Sequence, residues 1–88
     1  MKALTLKELP DESKIFTLCW NFMKAYGVPE TDDDWKKMID DCHQCVDPYK
    51  GTIQYQFAMD MIIATVSHIE RLFKEREQQK QKKQQNIA

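Results

Sequence analysis

Apolar positions recur at helical spacing in three stretches of the chain. In the first, from about Asp11 to Tyr26, Ile15, Cys19, Phe22 and Tyr26 share one face, with Phe16, Trp20 and Met23 beside them. This stripe is wide. Pro10 suits a first helical turn, and Asp11 and Glu12 suit the positive end of the helix dipole. Gly27 is placed as a left-handed residue after the helix, Val28 can fold back on the last turn, and Pro29 prevents continuation. The second stretch starts after Thr31, a natural cap. Asp32, Asp33 and Asp34 follow where three peptide N–H groups lack helical partners, and Asp34 holds the capping-box position. Trp35, Met38, Ile39, Cys42, Cys45 and Val46 form its stripe, and Asp47-Pro48 stops it.

The third stretch begins near Thr52 and meets no helix breaker afterwards. Ala58, Met61, Ile62, Thr65, Ile69, Leu72 and Phe73 form one stripe, and Met59, Ile63 and Val66 occupy an adjacent face. A surface helix of a small bundle needs less apolar width than that. After Phe73 the pattern gives way to a run of Lys, Glu, Arg and Gln. Ahead of the first helix, Met1 to Pro10 carries leucines at 4, 6 and 9, expected to pack over the edge of the bundle. Thr5 and Glu8 have capping-box spacing and predict a brief turn there.

These patterns predict an all-α fold: a three-helix bundle whose long C-terminal third helix, ~50 Å if continuous, overhangs the core. The organisation expected is an N-terminal arm over 1–10, a three-helix domain over 11–73, and a Lys/Gln-rich tail over 74–88. Composition sets the scale. Eighty-eight residues, 42% apolar and 31% charged, support one small globular core. The net charge of -1 is a cancellation. Residues 1–66 hold eleven acids and seven bases, whereas residues 67–88 hold six bases and three acids, so the body is at -4 and the end at +3. That excludes a polycation built for nucleic acid along its whole length. The longest apolar run, Phe57 to Val66, is too short to span a bilayer and contains Asp60. With Lys2, Lys7 and Glu8 so near the start, no secretory pattern is formed, so a cytoplasmic location without membrane attachment is expected. Three cysteines suit a reducing compartment.

The candidate chemistry is sparse. No phosphate-cradling glycine loop, HExxH or GxSxG occurs, and His43 and His68 have no partner whose geometry the sequence fixes. No catalytic residue and no cofactor is assigned, and the protein is expected not to be an enzyme. Cys42-His43-Gln44-Cys45 is a CxxC; with Cys19 and His68 it could be drawn as a tetrahedral zinc set. Against this, Cys42 and Cys45 lie on the stripe of Trp35 and Met38, where cysteine serves as a small apolar residue. Asp32-Asp33-Asp34 lacks the remaining ligands of an EF-hand loop and matches a helix start.

Two surfaces hold the functional expectation. The first is the spare face of the third helix. Met59, Ile63 and Val66 are placed as a self-association face for a homodimer, and Trp20, at the margin of its stripe, as a lateral anchor for another protein. The second is the basic end. Lys80, Lys82 and Lys83 are the nucleic-acid contacts of an alternative in which the tail grips phosphate. A helix-turn-helix docking is disfavoured, because Asp32-Asp33-Asp34 would face phosphates. In style, though in no specific motif, the short Lys/Gln-tailed chain resembles accessory proteins of bacterial phages and mobile elements. That resemblance implies an adaptor or inhibitor of a host protein and carries no residue across.

Overall fold

A computed structural model describes the backbone of residues 1–86 and the side chains of residues 1–80. The fold is all-α: helix α1 over Pro10–Tyr26, α2 over Asp32–Val46, a 3-10 turn over Asp47–Tyr49, and α3 over Tyr55–Asn86. Helix α3 is the shared partner. It packs most extensively on α1 and next on α2, whereas α1 and α2 barely meet. Its 32 residues make it almost twice as long as α1, at 17.

The helix boundaries follow local chemistry. Pro10 is the first residue of α1, where its missing N–H is no loss. At α2 the capping box forms: Asp34 donates its N–H to Thr31 Oγ1 at 3.1 Å, and its carboxylate accepts from the N–H groups of Thr31 and Glu30. Those two backbone bonds hold the Asp34 carboxyl below its ordinary pKa, so the cap is charged at neutral pH. Helix α3 starts later than the sequence pattern predicts, at Tyr55. Residues 52–54 instead complete a turn, with Thr52 bonding Tyr49 O through both its N–H (3.0 Å) and its hydroxyl (2.6 Å). Gly51 makes that turn with φ 79° and no atom near its missing Cβ. Gly51→Ala is therefore a nearly pure backbone test. It should cost about 1–2 kcal/mol in urea unfolding, the usual penalty for a left-handed L-residue. A loss of a few tenths would mean that the turn readily adopts another conformation.

The core is Ile15, Cys19 and Phe22 of α1, Met38 and Val46 of α2, and Ala58, Ile62 and Ile69 of α3. Thr65 is buried among them, and its hydroxyl is satisfied by Met61 O at 2.8 Å. Each side chain lies on the stripe predicted for its helix.

Two further expectations are corrected. Gly27 is right-handed (φ -61°, ψ -24°), so it is not the left-handed cap residue. Its glycine is explained by proximity, since a Cβ there would sit 2.9 Å from Met23 O. Its carbonyl accepts a bond from Arg76 Nη1 at 2.9 Å, which fastens the α1–α2 loop to α3. The arm leucines do not close over the bundle. The Thr5–Glu8 turn forms as predicted, with Glu8 N–H to Thr5 O at 3.0 Å, yet Leu4 and Leu6 remain 54% and 70% exposed. The turn and Pro10 hold the arm to the Leu9, Phe16 and Thr17 flank of α1, short of any cleft that could bury it.

Candidate functional site

One uncovered apolar surface lies along α2 and α3. Ile62 faces inward and is fully buried, so Ile63, one residue on and about 100° around the helix, faces solvent at 51% exposure. Met59 and Val66, one turn either side of Ile63, are half-buried against the core. The stripe continues through Glu70 to Phe73, so its steps alternate four and three residues, the spacing of a coiled-coil seam. Glu70 pairs with Lys74 at 3.4 Å and interrupts the apolar seam before Phe73. Beside it runs a groove of about 320 Å³ lined by Trp35 and Ile39 of α2 and by Val66 and Phe73 of α3. The Trp35 and Phe73 rings meet edge to face, with centroids 5.3 Å apart, and form one end of the groove. Ile39 remains 43% exposed on its wall.

Ile39 and Phe73 are functional candidates that sequence reasoning assigned to the core stripes. The available signal was position. Ile39 follows Met38, the buried centre of the α2 stripe, by one residue, as Phe16 follows Ile15 on α1. Trp20 is exposed, as its marginal place suggests, and Lys24 Nζ lies 5.6 Å from its ring centroid. It is on α1 and does not line the α2–α3 groove. Between α1 and α3 the aromatic pairing is Phe16 with Phe57, at 5.7 Å.

A second, larger cleft of about 740 Å³ opens where α1 and α2 diverge. Leu18, Phe22 and Cys45 provide its apolar lining, Lys14 stands at one end, and Asp41 stands at the other, accepting the Tyr26 hydroxyl.

The structure does not assemble the zinc set. Cys19, Cys42 and Cys45 line the core, while His68 is exposed on α3, and among the described residues no group of three or more metal-ligating side chains converges. Burial pushes the Cys42 thiol up, with Cys45 and Cys19 adding to the effect. Burial likewise raises Cys45, with help from Asp41 and Cys19. A protonated thiol is a poor metal ligand and a poor nucleophile. His43 is exposed and distant in role from any such group. Of the tail lysines, Lys80 is exposed and pairs with Glu77 at 3.5 Å, and Lys82 and Lys83 lie outside the described side chains.

No family model, no curated protein and no solved structure matches the chain. Among the described residues, no helix is long and apolar enough to cross a membrane.

Proposed function

We propose that this chain is a non-catalytic protein–protein interaction module that pairs with a second copy of itself through the α2–α3 face. The observation behind it is the placement of exposed Ile63, flanked by half-buried Met59 and Val66, beside an apolar groove walled by Trp35, Ile39 and Phe73. Val66 belongs to both. A two-fold axis near it sets the Ile63 ridge of each copy into the groove of the other, the self-complementary arrangement that an isologous dimer requires. The groove takes an isoleucine-sized side chain, and Glu70 and Lys74 provide a charged rim. A short chain gains from such pairing, because a domain of this size buries only roughly two thirds of its unfolded surface. Trp20, on another helix, is left for a different protein partner.

Light scattering during size exclusion at high micromolar concentration tests the reading. The expected result is concentration-dependent self-association that Ile63→Asp weakens without loss of helicity. A protein monomeric at every concentration, or an oligomer unaffected by Ile63→Asp, overturns it. The nucleic-acid alternative has less behind it: Lys74 and Lys80 are in local ion pairs, and Arg76 is bonded to Gly27 O.

A further inference from the structure

The α1–α2 cleft and the N-terminal arm fit each other. We infer that the cleft receives the arm of a second copy, with Lys2, Leu4, Leu6 and Glu8 laid along it. This contact is distinct from the α2–α3 face and does not rest on it.

Three observations carry the inference. The first is pattern. In an extended segment, alternate residues share a face, so the even positions of the arm present Lys, Leu, Leu and Glu in that order. The cleft presents the complement: Asp41 at one end, Leu18, Phe22 and Cys45 between, and Lys14 at the other end. The second is length. Lys2 to Glu8 spans ~20 Å extended. The cleft, followed along α1 from Lys14 to Tyr26, spans ~18 Å. The third is direction. The arm joins its own body at Pro10, so Glu8 is the last arm residue before the bundle and Lys2 is near the tip. Entering at the Lys14 end, the arm places Glu8 on Lys14 and carries Lys2 on to Asp41. Two copies with the starts of their α1 helices adjacent make this exchange reciprocally.

The arm's own chain does not use the cleft. The exposed turn at Thr5–Leu9 holds it against the neighbouring flank of α1, and Leu4 and Leu6 are left in solvent. What the exchange gives up is small: that exposed turn, and a 3.7 Å surface Lys2–Glu8 ion pair. What it covers is two leucines and an apolar cleft lining.

Cys45 in the cleft makes the contact directly readable. In the full chain carrying Leu4→Cys, mild oxidation with diamide at pH 8.5 should produce a covalent dimer on a non-reducing gel. Peptide mapping should place the bond between position 4 and Cys45 of different chains. Adding Cys45→Ser should remove most of the dimer. Glu8→Lys should cut the cross-linking yield severalfold, and Lys14→Glu together with Glu8→Lys should restore it. Circular dichroism of each variant controls for folding. A bond closed within one chain, no cross-link in folded protein, or a dimer that persists with Cys45→Ser overturns the inference. The cross-link should also survive Ile63→Asp, so failure of the α2–α3 contact and failure of this one are separate results.

Discussion

Replacing Ile62 by alanine should remove about 2–5 kcal/mol of folding stability, while the same change at Ile63 should stay within about 0.5 kcal/mol. The two residues are adjacent and chemically identical, and both lie mid-helix. Only their surroundings differ. Ile62 is fully buried, on the helix that packs against both others, and truncating it leaves a hole bounded by three elements. Because a close-packed interior relaxes only partly, the penalty includes the cavity as well as the lost transfer energy. Ile63 has half its surface in water and leaves no cavity. Small domains are stable by about 5–15 kcal/mol, so the Ile62 loss is a large share of the total. Urea unfolding at low micromolar concentration, where any dimer has dissociated, is the measurement. A shifted midpoint with an unchanged slope for Ile62→Ala is the expected result. Equal losses at the two positions would place the core on a different face of α3.

The split between those neighbours also shows what could be read without a structure. The buried stripe of each helix was legible because it depends only on helical period: Ile15, Cys19 and Phe22, then Met38 and Val46, then Ala58, Ile62 and Ile69. The α2 boundary was legible because Thr31 and Asp34 act within one turn. What the periodicity leaves open is the fate of a flank. Phe16, Trp20 and Ile63 border a stripe, Ile39 lies within one, and their exposure is set by how the helices splay. The same splay makes the α1–α2 cleft. The Gly27 conformation was out of reach for a related reason, since the Arg76 side chain that bonds its carbonyl lies 49 residues along the chain. The leucines of the arm looked like core by composition alone, and composition does not say that a turn will hold them off the bundle.

Phe73→Ala should cost about 2 kcal/mol, less than the 3–5 kcal/mol of a fully buried phenylalanine because Phe73 is half-buried. Its position makes it a joint between three parts of the fold. On one side it meets Trp35 edge to face at the start of α2. On the other it lines a cleft with Val28 and Pro29 of the α1–α2 loop and with Arg76, one turn further along α3. Pro29 is itself buried there. Losing the ring therefore opens both contacts at once and uncovers Trp35. In a Trp20→Phe background, where Trp35 is the sole tryptophan, the native emission should shift to the red in Phe73→Ala. Arg76→Ala removes only an exposed hydrogen bond to Gly27 O, and should cost less than about 1.5 kcal/mol with the emission unchanged. If Phe73→Ala leaves both stability and emission intact, α3 contributes to the core only as far as Ile69. The α2–α3 groove would then keep only Trp35 as an aromatic wall, and the second copy proposed to fill it would lose part of the surface against which Ile63 packs.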